Sequence, residues 1–395
     1  MADRSALESA AAAGLLRPDQ VAPLYDFLAT GAVSPASVPP GEEDLRFIRN
    51  FHDVFLAIGI VLFAVGLAVG IGAYAATNGA TQEAQTIALW CGGLCLASGA
   101  VMWGLGELFA RRRRLFLPAI AIVCALTAFV VVGVALIYAG LVFGDGEVGG
   151  ITEAGIPPIM RGWALLAAAF AVIAPAAFYA RFRLPFSIGM AGGGVAFFLI
   201  VLTLVFAWDA AQNFLPALFL VLGLALFGAG VVFDARDPAR VSRYSDNGFW
   251  LHFAAAPLIL GGAFGLINQA FGADGASALG GAGHLVAAAS TEGGNAVAQS
   301  IVTLLVVFVL GFISLLINRR VLIVSALLTT GVAIAVILNE FGLGAGALAA
   351  AVLIVLGGFV LVLGAGWHGV RRALLGWVKP DGAWARIFPP ETARE

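Results

Sequence analysis

The sequence predicts an all-α integral membrane protein with about ten transmembrane helices and a short helical hairpin at its N-terminus. Of its 395 residues, 61% are hydrophobic and 11% are charged, whereas soluble domains carry about 25% charged residues. The mean hydropathy of the chain is +1.00. Apolar runs of roughly twenty residues, the length that spans a bilayer, also recur from residue 54 onward. Together these observations argue against a soluble globular fold.

The apolar runs predict the number and type of the membrane-spanning elements. Backbone N–H and C=O groups cannot stay unpaired in hydrocarbon, so continuous runs of this length indicate helices, and the alternation typical of barrel strands is absent. The predicted spans are about 54–76, 85–109, 115–143, 162–180, 185–208, 214–233, 249–271, 297–317, 321–338 and 343–366. We therefore expect a ten-helix bundle over residues 51–370 and a tail over residues 371–395.

The basic residues predict the orientation of this bundle. If successive loops alternate sides, all of the 21 basic residues except Arg161 lie on one side of the membrane. Cytoplasmic loops carry the excess of Lys and Arg, so we expect both termini in the cytoplasm. The residues expected to anchor this topology at the lipid headgroups are Arg111, Arg112, Arg113, Arg114, Arg319, Arg320, Arg371 and Arg372.

The run of four arginines at residues 111–114 raises the alternative of a nucleic-acid interface. Four charges in a tight membrane turn offer little surface to a nucleic-acid groove, whereas they fit well against anionic headgroups. The lipid bilayer is therefore the expected partner of this turn, and no nucleic acid is expected.

Residues 1–50 are predicted to lie outside the membrane as two short amphipathic helices and a linker. Leu7 and Leu15 belong to one helical stripe, and Gly14 and Pro18 break the chain before a second stripe begins. Two alternatives stay open for this segment. It is either a cap on the cytoplasmic face or a docking site for a protein partner or a neighbouring subunit.

The chain carries no familiar catalytic motif. G-x-S-x-G, H-E-x-x-H and a Walker loop are absent, and the four histidines are isolated from one another in sequence. His52 and His252 each open a predicted span beside aromatic residues, which favours an interfacial position. We expect a protein that is not an enzyme and that needs no cofactor or metal.

The cysteines raise the question of a disulfide or a metal pair. Cys91, Cys95 and Cys124 all lie inside apolar runs, and their odd number argues against a disulfide framework. Cys91 and Cys95 are four residues apart and share a helix face, but no further ligand lies near them in sequence. Small buried hydrophobes are the expected role.

Two groups of polar residues within or beside the spans are candidate functional residues. Glu107 lies one turn inside a span and four residues before Arg111, which predicts a local ion pair. The opposite span ends carry a second group, comprising Asp209, Asn268, Gln269, Asn339 and Glu340. If these ends converge, they form a polar vestibule that opens outward. The alternative is that polar residues are simply tolerated at span ends.

Glycine spacing predicts close helix packing. The small-x-x-x-small pairs, which let helix backbones approach in lipid, are Gly66/Gly70, Gly189/Gly193, Gly261/Gly265 and Gly342/Gly346.

Two weak internal echoes also occur. Phe, Leu and Gly positions of the first span recur in the sixth at an offset of 164, as an inverted five-plus-five repeat would require. A rival echo links three arginine-closed turns, RRRRLFLP, RFRLPFS and NRRVLIV.

Both ends of the chain resemble a known group of proteins. The stretches AAAAGLLRPDQVAPLYDFL and DLRFIRNFHDVFLAIGIVLFAVG, and the terminal GAGWHGVRRALLGWV with its W-x-x-x-R-R-x-L-L pattern, cover roughly residues 5–75 and 355–380. They are similar to uncharacterised bacterial polytopic inner-membrane proteins of the domain-of-unknown-function type. The resemblance implies a multi-span bundle in a bacterial inner membrane and supplies no substrate or catalytic residue.

Three functions remain as hypotheses. The first is a permease-like transporter of a small solute or a lipid-related molecule. The second is a structural or assembly protein that docks partners through residues 1–50. The third is an intramembrane enzyme, which would require Glu107, His52 or Asp53 to converge on one pocket.

Overall fold

The computed structural model describes residues 4–29, 51–79, 81–144, 151, 155–237, 243–271, 295–317, 334 and 345–375. Helices make up nearly all of this part of the chain, and it contains no β-strand. The chain divides into two compact units, Met1–Asp44 and Leu45–Glu395.

The first unit contains the predicted pair of short helices, α1 (Arg4–Ala12) and α2 (Pro18–Ala29). Gly14 ends α1 with a φ of +74°, and the N–H groups of Gly14 and Leu15 bond back to Ala11 and Ala10. This pattern is a Schellman C-cap, which favours glycine because its αL conformation carries no Cβ penalty. Pro18 then opens α2, where its missing N–H costs nothing.

The second unit is a helical bundle. Its helices are α3 (Phe51–Asn78), α4 (Ala84–Gly106), α5 (Phe116–Tyr138), α6 (Pro158–Phe182), α7 (Pro185–Phe206), α8 (Trp208–Arg236), α9 (Arg243–Ala270), α10 (Asn295–Ile317) and α11 (Ala345–Leu375). Two of them continue into π-helical stretches. These are π1 (Glu107–Arg112) after α4 and π2 (Ala139–Phe143) after α5.

Seven helices of the described chain are long and apolar enough to cross a membrane, which agrees with an all-α multi-pass membrane protein. They are His52–Asn78, Ala84–Arg112, Phe116–Phe143, Pro158–Phe182, Pro185–Phe206, Asn213–Arg236 and Tyr244–Ile267. They match the first seven predicted spans. The eighth and tenth predicted spans coincide with α10 and α11, whereas the ninth, 321–338, lies outside the described residues. The total of ten stays a prediction.

Two hydrophobic cores hold the bundle together. The first lies between α4, α5 and α6, where Met102, Ile122 and Phe178 are completely buried. The second joins α9 to α10 through residues such as Ile259, Phe264 and Leu310. By contrast, α3 is buried over only 6% of its apolar window, as expected of a helix that faces lipid.

The tightest helix contact joins α8 and α9. Glycine, alanine or proline recurs every seven positions along one line of contact, which we call the α8–α9 seam. These residues are Pro216, Gly223 and Gly230 on α8, and Gly248, Ala255 and Gly262 on α9. A Cβ at Gly262 would meet the backbone of Leu220, and one at Gly223 would lie 2.7 Å from the Ile259 nitrogen. The glycines therefore let the two helix backbones come into contact.

The predicted glycine pairs are matched in part. Gly189 packs on the Trp250 backbone, and Gly265 packs on Pro216. A Cβ at Gly66 or Gly70 would meet nothing within 4 Å, so in this chain that pair does not mediate close packing. Gly342 lies outside the described residues.

Candidate functional site in the first turns of α9

The first turns of α9 are polar but lie inside the bundle. The sequence predicts the seventh span from residue 249, yet α9 starts at Arg243. Ser245, Asn247 and His252 are buried, at 5%, 2% and 0% exposure. These side chains are therefore covered by other helices, whereas Tyr244 is exposed. The interfacial position of His252 stays a prediction.

His252 pairs with Asp234 of α8. Its Nε2 atom lies 3.1 Å from Asp234 Oδ2, and the Asp234 side chain is 13% exposed. Asp234 is two residues before the end of α8, and His252 is nine residues after the start of α9. The pair thus joins the last turn of α8 to the first three turns of α9.

Two glycines make room for this pair. A Cβ at Gly230 would lie 2.8 to 3.0 Å from three ring atoms of His252, and one at Gly248 would collide with Asp234 Oδ1. Phe227 covers another side of the imidazole, with ring centroids 4.6 Å apart. The α8–α9 seam therefore closes around the two ionisable side chains.

Other buried polar groups lie on α9 and on the neighbouring helices α6 and α7. Asn247 Nδ2 donates a hydrogen bond of 2.8 Å to the hydroxyl of Tyr179, in the last turns of α6. Asn247 Oδ1 and the hydroxyl of Ser187, on α7, are buried without a hydrogen-bond partner among the described residues. Together with the His252–Asp234 pair, these groups lie on four helices, α6 to α9, and we call the set the polar cluster. It consists of Asp234, His252, Asn247, Tyr179 and Ser187.

An aromatic group lies at the bundle end where α4 ends and α5 begins. The Trp250 ring stacks on Phe116 at 6.4 Å and meets the Phe186 ring edge-on at 4.7 Å. Glu107 and Arg181 join π1 to the end of α6 across the same bundle end, with a distance of 2.7 Å. We call it the arginine end, because Arg111 to Arg114, Arg181 and Arg183 all lie there.

Comparison of the chain with protein families, curated proteins and solved structures found no match. The resemblance to bacterial inner-membrane proteins is therefore neither supported nor contradicted. What the site can do follows from its geometry alone.

The predicted outer vestibule is only partly described. Asp209 is exposed in the first turn of α8, and Gln269 donates a 3.0 Å hydrogen bond to the main-chain oxygen of Asn213, one turn further along. These groups share the end of the bundle opposite the arginine end. The Asn268 side chain, Asn339 and Glu340 lie outside the described set, so the vestibule stays a prediction.

Glu107 forms the predicted ion pair with Arg111, with Oε2 3.2 Å from Nη1. It also contacts Arg181, from a helix 74 residues away, which sequence spacing does not reveal. Asp53 is buried and His52 is exposed at the start of α3. Among the described residues, Glu107 thus forms ion pairs with Arg111 and Arg181.

Arg371 and Arg372, two of the predicted membrane anchors, differ in how far their side chains are exposed. Arg372 is exposed, but Arg371 is 1% exposed and donates hydrogen bonds to the main-chain oxygens of Leu315 and Leu316. Arg371 therefore caps the last turn of α10, where unpaired carbonyls favour a cation. Since both helices end at this contact, α10 and α11 run in the same direction, as the predicted eighth and tenth spans should. Arg319 and Arg320 lie outside the described residues.

Sequence analysis missed the polar cluster because its members are far apart in sequence. One signal was present. The stretch RYSDNGFWLH is followed directly by apolar helix without a turn residue, and Asp234 is only two residues before the end of α8. A helical polar turn beside a span is a sign that neighbouring helices cover it.

Proposed function

We propose that the protein is a proton-coupled membrane transporter of a small solute, and that the His252–Asp234 pair is its proton-binding site. The observation that carries this proposal is a fully buried histidine paired with a carboxylate inside two candidate spans. Ionisable side chains are costly in the membrane, and in transporters such residues form proton relays.

The chemistry of the pair suits proton exchange. Imidazole gains or loses a proton near neutral pH, and a carboxylate beside it stabilises the protonated ring. Asp234 is 13% exposed whereas His252 is completely buried, so the carboxylate is the member of the pair that water can reach.

A purely structural role for the pair is the main competing interpretation. A buried pair fastens α8 to α9, and removing one partner costs about 3–5 kcal/mol because the other charge is left unpaired. Alanine variants would therefore lose function in either case. Asp234→Asn and His252→Gln keep a hydrogen-bonding atom in place and remove only the ability to exchange a proton.

The test is proton movement into proteoliposomes that contain the purified full-length protein and a pH-sensitive dye. An imposed membrane potential supplies the driving force, and a panel of amino acids, monosaccharides and carboxylic acids is added in turn. We expect at least one solute to start proton uptake in the wild type. Asp234→Asn and His252→Gln should reduce this uptake about ten-fold or more while remaining folded.

Asp237→Asn is the matched control, because it removes a carboxylate three residues further along the same chain. This control should retain uptake. The proposal is wrong if no solute of the panel moves protons, or if Asp234→Asn transports as well as Asp237→Asn.

In the proposed orientation, the arginine end lies on the cytoplasmic side of a bacterial inner membrane, in keeping with the excess of basic residues at this end. Asp234 would then receive or release its proton on the cytoplasmic side, and the predicted vestibule would face the other compartment.

A further inference from the structure

A cavity at the arginine end is lined by four arginines. Its volume is about 320 Å³, and Arg111, Arg114, Arg181 and Arg183 contribute to its wall together with apolar residues such as Leu115, Phe182 and Leu184. This volume lies at the lower limit of small-molecule sites, which hold roughly 300–1,000 Å³. We call it the arginine cavity. None of the five residues of the polar cluster lines it.

Two turns of the same construction form this cavity. In each, an arginine has a left-handed backbone, with φ of 53° at Arg114 and 55° at Arg183. An extended leucine follows, and then a helix begins, α5 in one case and α7 in the other. These are the only non-glycine residues with positive φ in the described chain. The turns in RRRRLFLP and RFRLPFS therefore share their backbone geometry.

The backbone of both arginines argues for a role of their side chains. A left-handed conformation is unfavourable for residues with a Cβ, and helix ends of this kind usually carry glycine. Such outliers cluster at binding sites, where the surroundings hold them in place. Arginine at both positions is thus kept at a cost, and both side chains belong to one cavity.

The electrostatics of the cavity favour an anion. Glu107 binds Arg181 at 2.7 Å and Arg111 at 3.2 Å, while Arg114 and Arg183 have no ion pair among the described residues. Four arginines against one glutamate leave an excess of three positive charges. The N-termini of α5 and α7 lie at the cavity wall, and both have leucine as N-cap, without a side-chain cap bond. Helix N-termini add to the attraction for anions.

The number of donors favours phosphate over a carboxylate. Each guanidinium has five N–H donors in a fork that matches phosphate oxygens. The two oxygens of the Glu107 carboxylate already satisfy one donor each on Arg111 and Arg181. A phosphate monoester has three terminal oxygens, and a phosphodiester has two together with two ester oxygens. Either group can use the donors that remain on four arginines, and the apolar part of the wall suits its organic substituent.

We infer that the arginine cavity binds a phosphate group, carried either by a membrane phospholipid or by a soluble phosphate ester. Basic pockets between transmembrane helices bind phospholipid headgroups by the same chemistry. The inference does not depend on the proposed transport function.

The test compares two double variants of the full-length protein in a neutral detergent. Arg114→Gln with Arg183→Gln removes two charges from the cavity wall. Arg112→Gln with Arg113→Gln removes the same charge from the same bundle end, at exposed residues that do not line the cavity. The probes are dioleoylphosphatidylglycerol, glycerol 3-phosphate and inorganic phosphate, with binding followed by native mass spectrometry for the lipid and calorimetry for the soluble probes.

We expect the cavity variant to bind the preferred probe about thirty-fold more weakly, since each arginine near an anionic headgroup contributes about a five-fold factor. The control variant should bind as the wild type does. Binding of the lipid alone would identify a membrane phospholipid as the source, and binding of glycerol 3-phosphate or phosphate would identify a soluble ester. The inference is overturned if no probe binds, or if both variants weaken binding equally.

Arg114→Gly with Arg183→Gly guards against a loss of binding by misfolding. Glycine adopts the left-handed backbone without strain, so this variant should be at least as stable to heat as the wild type and should still lose binding. A stable glycine variant that binds normally would also overturn the inference.

Discussion

His252 shows how single residues decide whether an ionisable group can be held inside the bundle. Its imidazole is fully buried because Gly230 and Gly248 offer no side chain where the His252–Asp234 pair lies. A buried ionisable group requires a partner, and Asp234 provides it at 3.1 Å. The glycines and the ion pair are thus one feature, and changing a glycine should disturb the pair.

We predict that Gly230→Ala destabilises the protein by about 1–3 kcal/mol, the usual cost of inserting a methyl group into a packed interior. The new Cβ would lie 2.8 Å from the His252 ring and push it from Asp234. Gly228→Ala is the control on the same helix, because a Cβ there would meet nothing within 4 Å. The measurement is the free energy of unfolding from titration with a denaturing detergent. Equal losses in both variants would contradict the proposed packing of His252.

The α8–α9 hairpin shows which properties of the elements can be read from sequence. The existence of both helices is predictable, because the bilayer requires roughly twenty apolar residues for each crossing. The start of α9 is not predictable in this way. Hydropathy places it at residue 249, whereas the helix begins at Arg243 and its buried Asn247 contacts Tyr179. Similarly, π1 and its link from Glu107 to Arg181 depend on a helix far away in sequence.

At the same scale, we predict that Gly262→Ala separates α8 from α9. Its Cβ would meet the backbone of Leu220, which cannot rotate away as a side chain can, so the cost should lie near the upper end of about 1–3 kcal/mol. Gly261→Ala is the neighbouring control, since its nearest atom would be a Phe219 ring carbon at 3.9 Å. Thermal unfolding should show a clear loss only for Gly262→Ala. An unchanged unfolding temperature for Gly262→Ala would contradict the close backbone contact between α8 and α9.

In the whole molecule, similar sequence does not imply a similar environment. The first and sixth predicted spans share glycines at an offset of 164, Gly59 and Gly66 matching Gly223 and Gly230. On α3, a Cβ at either glycine would meet nothing within 4 Å, whereas on α8 both glycines pack directly on α9. The described helices thus give this echo no support from packing, while the shorter echo of the arginine turns does correspond to shared backbone geometry. Composition predicts that the protein is a membrane protein. The hydropathy of the chain does not predict which of its helices pack against one another.

The orientation of the whole molecule supplies the last prediction. The turn after α3 and the turn after π1 lie at opposite ends of α4, so single cysteines at Thr81 and Arg113, both exposed, should report opposite faces of the membrane. The three native cysteines would first be replaced by alanine, which leaves a protein without thiols. In bacterial cells with a permeable outer membrane, an impermeant maleimide should label Thr81→Cys and spare Arg113→Cys, because the arginine end stays in the cytoplasm. Inverted vesicles should give the reverse, and a permeant maleimide should label both. Labelling of Arg113→Cys alone in cells would reverse the proposed orientation and place the Asp234 proton site toward the outer compartment. Labelling of both cysteines from one side of the membrane would mean that α4 does not cross it.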